Sequence, residues 1–314
     1  MPIKLPEELQ YIQKRLLPQK TTTARMDGKV CVVTGATSGI GLAVANIFAQ
    51  KGAELVLVCR NKEKGEQLQQ SLRERYSAKS TLIIADFNHL SDVRGAAMTI
   101  AKQFPSIDVL VNNAGVFNKH RQITPDGNEQ VFQVVHLASF LLTRLLEESL
   151  ASGAPSRVIM VNSEAHRFGG LKLNDLRWEK RPFIGLQAYG AAKIAQILTS
   201  IKMAERLIKR DITVNLIHPG AVRTNIGLNN NIFYRFYSKY ILRWFLKDVK
   251  IAADAIYYLA AEPTLSEKTG AYFNLTNEEK PASYVIDIPQ MVKIWDISEE
   301  LTREEMKKNE KLQQ

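Results

Sequence analysis

The sequence predicts an α/β fold in which a single doubly wound parallel sheet is covered by helices on both faces. Short apolar segments alternate along the chain with segments of helical character, and this order is typical of βαβ units. The apolar segments show no regular alternation of polar and apolar residues, so we expect strands that are buried on both faces. No linker-like segment divides the chain, which indicates one domain.

The strands are predicted from short apolar runs in which Val, Ile, Leu and Thr predominate. Such residues pack well on the pleated surface of a buried sheet. Seven segments have this character: Val30–Thr34, Glu54–Cys59, Thr81–Ala85, Val109–Asn112, Arg157–Val161, Thr213–Ile217 and Ala271–Asn274.

The segments between these strands are longer and are predicted as helices. A strand, a helix and a second strand in this order form the unit from which parallel sheets are built. The predicted helices are Ile40–Gln50, the charged segment Lys62–Tyr76, Val93–Phe104, Glu129–Leu150, Leu186–Lys209, Ile251–Ala261 and the closing helix Met291–Leu301.

We divide the chain into an N-terminal helical extension over residues 1–25, a domain over 26–301 and a charged tail over 302–314 that we expect to be frayed. The extension has four apolar residues at helical spacing, which predicts a short amphipathic helix packed on the domain. Acidic residues interrupt the apolar core that a signal peptide would need. The sequence has no run of about twenty apolar residues, so no membrane-spanning helix is predicted.

The net charge of +10 is concentrated in two segments. Residues 1–25 carry five basic and two acidic side chains, and residues 226–250 carry five basic and one acidic. The excess is interpreted as solvated surface, as contact with the negatively charged surface of a membrane, or as a site for a phosphorylated ligand. Nucleic acid is not a predicted partner, because no recognised binding motif accompanies the charge.

Both cysteines lie in predicted strands, so we expect Cys31 and Cys59 to be buried thiols rather than a disulfide. No residues have the spacing of a zinc site, and no metal is predicted. Free thiols favour a reducing compartment, which predicts a cytoplasmic protein. Peripheral attachment to a membrane through the two basic segments is the alternative.

Tyr189 and Lys193 are four residues apart in a predicted helix and therefore project from the same face. Free tyrosine titrates near pH ~10. A nearby positive charge favours the phenolate and lowers that value. The pair is thus a candidate proton donor that works near neutral pH, and a solvated Tyr and Lys one turn apart is the alternative.

A glycine-rich turn follows the first predicted strand. Glycines recur at positions 35, 39 and 41 in the segment Thr34–Gly41, directly before the first predicted helix. Glycine permits a tight turn and lets backbone amides approach a pyrophosphate at the N-terminus of a helix. This context, strand followed by turn followed by helix, predicts a dinucleotide site.

The spacing Thr-Gly-x-x-x-Gly-Ile-Gly resembles that of the short-chain dehydrogenase/reductase family, whose Rossmann-type fold binds nicotinamide dinucleotides. The later motifs resemble the family's in the same order over residues 28–275. They are Asp86 after the third strand, Asn112-Asn-Ala-Gly115 after the fourth, Ser163 after the fifth, Tyr189-x-x-x-Lys193, and Pro219-Gly220-x-x-x-Thr224 after the sixth.

Further segments resemble the retinol dehydrogenase and WW-domain oxidoreductase branch of that family. They are Thr124–Glu129, Phe132, Phe140–Thr143, Cys59-Arg-Asn61 and Ser163-Glu-Ala-His166.

The resemblance implies roles for individual residues. Tyr189 would protonate the developing alkoxide during reduction and take the hydroxyl proton during oxidation. Lys193 would lower the pKa of Tyr189 and hold ribose hydroxyls, and Ser163 would donate a hydrogen bond to the substrate oxygen. The implied cofactor-binding residues are Gly35, Thr37, Ser38, Gly39, Ile40, Asp86, Phe87, Asn113, Ala114, Gly115, Tyr189, Lys193, Pro219, Gly220, Val222 and Thr224.

The residue after the second strand distinguishes NAD from NADP. A carboxylate at that place binds the ribose 2′-hydroxyl and repels a 2′-phosphate. This chain has Arg60 and Asn61 there, with Lys64 nearby. A guanidinium group can make paired charge-assisted bonds to phosphate, so NADP(H) is the predicted cofactor. If Arg60 points to solvent instead, the site accepts NAD(H) as well.

One position departs from the family. The long helix usually carries an asparagine that helps to position a water relaying protons to the lysine, and Val135 stands at that place. Valine has no polar side-chain group. We expect a slower enzyme, a different water path, or a nucleotide-binding protein with little catalysis.

The segment 232–246 is rich in aromatic residues interleaved with Arg and Lys. In the family the region around residues 225–250 forms a lid over the substrate, so this composition predicts an apolar aldehyde, ketone or alcohol such as a retinoid, steroid or lipid. Packing on the core, and contact with a membrane, are the alternatives. The leading function is NADP(H)-dependent interconversion of such an alcohol and its carbonyl, and the second is a nucleotide-binding interaction protein. The resemblance also favours a homo-oligomer, a dimer or a tetramer, and a monomer at a membrane is the alternative.

Overall fold

The structure, a computed structural model, describes residues 18–220 and 249–313, with side chains as far as Lys308. The predicted N-terminal helix and almost all of the predicted lid lie outside the described residues. A single eight-stranded sheet forms the centre of the domain, in the order β3-β2-β1-β4-β5-β6-β7-β8. The predicted doubly wound sheet is therefore confirmed. The strands are β1 (Val30–Thr34), β2 (Glu54–Cys59), β3 (Ser80–Ile84), β4 (Val109–Asn112), β5 (Ser156–Val161), β6 (Ile212–His218), β7 (Tyr272–Asn274) and β8 (Asn277–Glu279).

Neighbouring strands are parallel from β3 to β7, and only β8 runs antiparallel to its neighbour. Strand β8 was not predicted, because Asn277–Glu279 is three polar residues with no apolar run. It forms a hairpin with β7 through a turn in which Leu275 has a positive φ of 55°. The hairpin is set by this turn and its tertiary contacts rather than by strand propensity.

Strand β1 lies at the point where the order of the strands reverses. It pairs with β2 on one side and with β4 on the other, so the chain crosses over the sheet between β3 and β4. Ligands of such sheets bind at the carboxyl ends of the strands beside this reversal. The glycine turn that follows Thr34 and the segment that follows Asn112 both start there.

Adjacent residues of β1 belong to different apolar cores. Val32 and Val33 are both completely buried, but Val32 packs with the helices on one face and Val33 with those on the other. This accounts for the absence of a polar and apolar alternation in the strands. The helices are α1 (Gly39–Gln50), α2 (Lys62–Tyr76), α3 (Leu90–Gln103), α4 (Gln130–Phe132), α5 (Ala138–Leu145), α6 (Glu147–Ser152), α7 (Gly185–Leu207), α8 (Val249–Ala261) and α9 (Ile288–Gln313).

The single long helix predicted over Glu129–Leu150 is wrong in detail. Between α4 and α5 the backbone forms a π-helical turn over Gln133–Leu137, and a second break separates α5 from α6. The hydroxyl of Ser139 donates to the carbonyl oxygens of Val135 (3.1 Å) and His136 (2.9 Å). Side chains that take over backbone acceptors in this way loosen the regular ladder of a helix.

Helix α9 extends beyond the predicted end at Leu301. It continues to Gln313, and Thr302 and Glu305 are buried on it, so the described part of the expected frayed tail is helical. The helix packs against α3, α5 and α7. No helix within 18–220 or 249–313 has the length and apolar character to cross a bilayer.

Trp295 packs α9 against the rest of the domain. It is 2% exposed and meets the ring of Phe140 edge to face at 5.1 Å between centroids. The guanidinium groups of Arg144 and Arg206 lie 5.3 and 5.0 Å from its ring centre. The aromatic pair and the cations stabilise the packing of Trp295 beyond the burial of its apolar area.

We expect Trp295→Ala to lower the free energy of unfolding by about 3–5 kcal/mol, the range for an aromatic side chain removed from a core. Ile288→Ala on the same helix is the control, because Ile288 is 67% exposed and a change there stays within about 0.5 kcal/mol. Urea unfolding followed by circular dichroism measures both. Equal stability of the two variants would show that α9 is not fastened by Trp295.

Candidate active site

The glycine turn connects β1 to α1 at the carboxyl edge of the sheet. Gly35 and Gly39 have positive φ angles of 67° and 53°, which residues with a side chain adopt at a cost. Ser38 is the N-cap residue of α1, yet its side chain makes no capping hydrogen bond. The amides of the first turn are therefore not satisfied by that side chain, and an anion is a suitable partner for them. In the same turn Thr37 is half-buried and Ile40 is buried.

Gly41 allows α1 to lie close to the turn that precedes it. A Cβ atom at this position would lie 2.5 Å from Nδ2 of Asn113 and would overlap the carbonyl oxygen of Gly35. The backbone, unlike the end of a long side chain, cannot move aside at little cost. Gly41 is therefore required for close packing rather than for an unusual φ angle.

Thr34 ties the loop after β4 to the glycine turn. Its hydroxyl accepts hydrogen bonds from the amides of Asn113 (2.9 Å) and Ala114 (3.0 Å). In return, Nδ2 of Asn113 donates to the carbonyl of Thr34 at 2.8 Å. The predicted residues Asn113, Ala114 and Gly115 thus lie beside the glycine turn. The role of Thr34 was not predicted, although its place directly before the first glycine was the available signal.

The residues predicted to select the cofactor lie at the start of α2. Arg60 is exposed directly after β2, and Asn61 caps the helix by accepting a hydrogen bond from the amide of Lys64 at 2.7 Å. Within the described part of the chain, neither the Arg60 guanidinium nor the Lys64 ammonium has an ion-pair partner. The side chain of Asn61 is committed to the helix, which leaves the two cations as the groups available to a ligand.

Two predicted residues follow β3. The carboxylate of Asp86 accepts hydrogen bonds from the backbone and side-chain amides of Asn88 at 3.0 and 2.9 Å. Phe87 is buried in the apolar core. After β6, Pro219 is buried and Gly220 has a φ of 80°. Val222 and Thr224 lie outside the described residues.

Ser163 and Tyr189 are brought together at the carboxyl end of β5. Ser163 starts a 3₁₀ turn over Glu164–Arg167 after the strand, and its side chain accepts a hydrogen bond from the amide of Ala165 at 3.2 Å. Tyr189 lies in the first turns of α7, and its phenol is close enough to Ser163 for that side chain to lower the phenol pKa. The ring of Phe117 meets that of Tyr189 edge to face at 5.9 Å.

The close contact between the Ser163 turn and α7 depends on Gly190. A Cβ atom at Gly190 would lie 2.8 Å from Cα of Gly169 and would overlap the carbonyl oxygen of Ala165. The residue after Tyr189 therefore has no side chain, so that the loop after β5 can lie directly on the helix. This approach is what sets the distance between Ser163 and Tyr189.

Lys193 is 3% exposed and points toward the end of β5. Its Nζ donates to the carbonyl of Val161 at 2.6 Å and to Oε1 of Gln196 at 3.2 Å, and it lies 5.5 Å from the centre of the Tyr189 ring. Burial lowers the pKa of Lys193 to about 7. Near neutral pH the lysine is thus only partly charged.

The pKa of Tyr189 moves opposite to the sequence-based expectation. Burial raises it to about 12, and the hydrogen bond from Ser163 opposes that rise only in part. The ammonium group of Lys193 is directed at Val161 and Gln196 rather than at the phenol. Desolvation is the larger effect here, so the phenol keeps its proton at neutral pH.

A buried polar network holds the turn that follows Ser163. Nε2 of His166 accepts a hydrogen bond from the amide of Ala282 at 3.2 Å, so Nδ1 carries the proton and donates to the carbonyl of Ser163 at 2.7 Å. Burial lowers the pKa of His166, which agrees with a neutral ring. Arg167 pairs with Glu164 and, at 3.2 Å, with Glu279 of β8. The unpredicted hairpin thereby holds the Ser163 turn in place.

Val135 is completely buried, and its Cγ2 faces the position of Gly115. Its main-chain carbonyl is the polar group at this place, and it accepts from Nε2 of Gln196 at 3.2 Å. The neighbouring His136 points elsewhere and bonds through Nε2 to the hydroxyl of Ser298 at 2.8 Å. Across the described residues, no cluster of three or more His, Cys, Asp or Glu side chains is arranged to hold a metal ion.

Known proteins resemble this chain over most of its length. The family profile described as short chain dehydrogenase matches residues 29–233. Retinol dehydrogenase 13 of Homo sapiens is 34% identical over 290 residues, covering 91% of this chain and 87% of that protein. The WW domain-containing oxidoreductase of Gallus gallus is 33% identical over 290 residues, covering 90% and 70%. The solved structure of an uncharacterised protein from Mycobacterium paratuberculosis matches with a TM-score of 0.73 at 26% identity, covering 91% and 98%.

The chain therefore belongs to the short-chain dehydrogenase/reductase family. Within that family it lies in the retinol dehydrogenase-like branch, as the sequence predicted. It is accordingly an oxidoreductase that acts on CH–OH groups. Proteins of this family bind NAD(P)(H).

The residues at the carboxyl edge of the sheet fit such a dinucleotide. Side chains at Gly35 and Gly41 would press on the neighbouring main chain and on Asn113, so glycine keeps this turn compact, and the first turn of α1 has no side-chain cap. Arg60 and Lys64 supply positive charge directly after β2, at the start of α2. The turn would hold the pyrophosphate, because backbone amides and the dipole of the helix favour an anion at this place.

We expect Gly41→Ala to lower both stability and dinucleotide affinity, because the new methyl group pushes α1 away from the turn. Overpacking of this kind costs about 1–3 kcal/mol. Gly95→Ala is the matched control: Gly95 lies in α3, and a Cβ added there would meet no atom within 4 Å, so a helical Gly→Ala change stabilises by about 0.5–1 kcal/mol. Urea unfolding and titration with NADPH measure the two effects. Unchanged NADPH affinity in Gly41→Ala would contradict this account of the turn.

Proposed function

We propose that this protein is an NADP(H)-dependent oxidoreductase that interconverts an apolar alcohol and its aldehyde or ketone. The observation that carries the proposal is the convergence of Ser163, Tyr189 and Lys193 at the carboxyl end of β5, on the same edge of the sheet as the glycine turn. A phenol with its proton, a second hydroxyl and a buried amine are the groups that carbonyl reduction requires.

Tyr189 is the proposed proton donor to the substrate oxygen during reduction, and the acceptor of the hydroxyl proton during oxidation. Ser163 donates a hydrogen bond to the same oxygen, where negative charge develops in the transition state. Lys193 is the proposed partner of the ribose hydroxyls, and its ammonium group bonds to Val161 and Gln196 rather than to the phenol. When bound, the nicotinamide supplies or accepts the hydride.

The protonation of the pair favours Tyr189 as an acid. With a pKa of about 12 the phenol is protonated at neutral pH, ready to donate. The oxidative direction needs the phenolate, which burial disfavours. The isolated site therefore holds the phenol in the protonation state from which reduction starts.

The preference for NADP(H) is supported by the charges after β2. The position that would carry a carboxylate in an NAD site holds the exposed Arg60, and the Lys64 ammonium lies one turn into α2. Within residues 18–220 and 249–308 both cations are without an ion-pair partner, so neither must break a bond to meet a phosphate. The predicted acceptance of NAD(H) remains the alternative.

The apolar substrate is supported by three features. Phe117 packs on the ring of Tyr189, which gives the reacting oxygen an aromatic neighbour. The segment 232–246, outside the described residues, is rich in aromatic side chains. The matching human protein is named a retinol dehydrogenase, and retinol is an apolar alcohol. A retinoid, steroid or lipid carbonyl is the class of substrate that we propose.

The compartment, the membrane contact and the oligomeric state of the protein stay predictions. The buried free thiols of Cys31 and Cys59 agree with a reducing, cytoplasmic compartment. The basic segments 1–25 and 226–250 support peripheral contact with an anionic membrane, and the family resemblance supports a homo-oligomer.

We expect Tyr189→Phe to lose about 10²–10⁴-fold in the rate of carbonyl reduction, the usual contribution of a positioned proton donor, while NADPH binding persists. Tyr76→Phe on α2 makes the same chemical change outside the site and is the control. Absorbance at the NADPH band, followed over a panel of apolar aldehydes and ketones, measures the rate, and NADPH fluorescence measures binding.

The same panel separates the proposal from its alternative, a nucleotide-binding interaction protein with vestigial chemistry. If the wild-type chain binds NADPH tightly but turns over no member of the panel or of the matching alcohols with NADP⁺, the enzymatic proposal fails and the alternative stands.

We expect Arg60→Glu to weaken NADPH binding at least about tenfold relative to NADH, since a hydrogen bond to a charged group contributes about 1.5–3 kcal/mol. Arg73→Glu, the same charge change at the other end of α2, is the control. Fluorescence titration with each dinucleotide gives the ratio. A ratio that does not change in Arg60→Glu would remove Arg60 as the selecting residue.

A further inference from the structure

Gln196 is a buried polar residue with no part in the reaction as described so far. It lies on α7, three residues after Lys193, and is 2% exposed. A buried carboxamide must have hydrogen-bond partners, because burying one without them costs free energy. The partners of Gln196 come from three different elements of the fold.

The oxygen of the carboxamide accepts two hydrogen bonds. Oε1 of Gln196 receives Nζ of Lys193 at 3.2 Å and Nδ2 of Asn162, the residue after β5, at 2.9 Å. Since Nδ2 of Asn162 can only donate, this end of the amide must be the oxygen. The orientation of the side chain is thereby determined.

The nitrogen of the carboxamide points to the π-helical turn. Nε2 of Gln196 donates to the carbonyl of Val135 at 3.2 Å and lies 3.4 Å from the hydroxyl of Ser139. The π-helical turn spans Gln133–Leu137, and Ser139 itself donates to Val135. One side chain thus connects the ammonium group of Lys193 to the main chain at the position where the family asparagine is replaced.

We propose that Gln196 is a positioning residue, which links the Lys193 ammonium group to the carbonyl of Val135 through its carboxamide and so replaces the polar link that the Val135 side chain cannot provide. The inference rests on the proposed function. The carboxamide nitrogen donates to the carbonyl of Val135, and the carboxamide oxygen accepts from Nζ of Lys193. Lys193 is held from two sides, by Val161 of β5 and by Gln196 of its own helix.

The bond to Gln196 also favours the charged form of Lys193. The titratable groups that face Lys193 are Tyr189 on α7 and His136 on the π-helical turn. The pKa of Tyr189 is raised to about 12 and that of His136 is lowered to about 3, so both are neutral near pH 7. Of the described carboxylates, none contributes to the pKa of Lys193, which burial alone lowers. Hydrogen bonds from neutral acceptors are therefore what support the ammonium group.

The test follows the ionisation of Lys193 directly, in the protein without nucleotide. Lysine labelled with ¹³C at Cε is titrated by NMR, and the resonance of Lys193 is identified by its loss in Lys193→Met. Gln196→Met keeps the length of the side chain and removes all the hydrogen bonds of the carboxamide. Gln196→Glu replaces the neutral acceptor by a carboxylate. Thr199→Val, one turn further along α7, is the matched control, because Thr199 is as buried as Gln196 and its hydroxyl bonds only to its own helix.

We expect the pKa of Lys193 to fall by about one to two pH units in Gln196→Met, as the loss of a charge-assisted hydrogen bond implies. It should rise in Gln196→Glu, because an adjacent negative charge favours the ammonium form, and stay unchanged in Thr199→Val. Repacking alone would shift the two Gln196 variants in the same direction. That result, or no shift in either variant, would overturn the proposal. If Gln196→Met does not fold, Gln196→Asn, whose shorter amide cannot reach both partners, is scored in its place.

The kinetic arm separates this inference from the proposed function. For NADPH-dependent carbonyl reduction, the limb of the pH profile of kcat/KM that reports Lys193 should move to lower pH in Gln196→Met and to higher pH in Gln196→Glu. If the NMR shifts occur but the wild-type chain turns over no carbonyl, the proposed function fails and the positioning role stands. If the wild-type chain is active and the pKa of Lys193 stays constant in both variants, the positioning role fails alone.

Discussion

The carboxyl end of β5 is joined to helix α7 through Lys193, and the rest of the site depends on that junction. The buried ammonium group bonds to the carbonyl of Val161, and Nδ2 of Asn162 bonds back to the carbonyl of Lys193 at 3.1 Å. Strand and helix are therefore connected in both directions within two residues of the strand end. Because Gly190 carries no side chain, the Ser163 turn can lie directly on the same helix. Ser163 and Tyr189 meet as a consequence of this packing.

Burial then determines the charge state of the site. The same desolvation raises the pKa of Tyr189 to about 12 and lowers that of Lys193 to about 7, since each shift favours the neutral form. A positive charge beside the phenol was expected to make it more acidic, but in this packing the ammonium group is directed at main-chain and amide oxygens. Under the proposed role of Gln196, the residues around the lysine set how much of its positive charge is present. A residue that touches no substrate would in this way act on Tyr189, the proposed acid.

Local patterns were sufficient for much of the fold. The bounds of β1, β2, β4 and α2 agree with the prediction, because β-branched runs, glycine turns and a capping Asn61 are features of short segments. The π-helical turn over Gln133–Leu137 was not predictable in this way. It depends on Ser139 and on Gln196, whose amide lies 61 residues further along the chain. Strand β8 and the last turns of α9 were missed for a similar reason, since the contacts that support them come from other elements.

The family, the order of strands and helices, and the choice of Ser163, Tyr189 and Lys193 as candidate site residues follow from the sequence alone. They rest on residue types at short, regular spacings, where backbone geometry leaves few alternatives. The tertiary structure decided what surrounds those residues. It placed His166 between Ala282 and Ser163, and Gln196 between Lys193 and Val135. It also reversed the expected direction of the Tyr189 pKa. These features join segments that are distant in the chain, and the energy of burying a polar group depends on every neighbour that the fold brings to it.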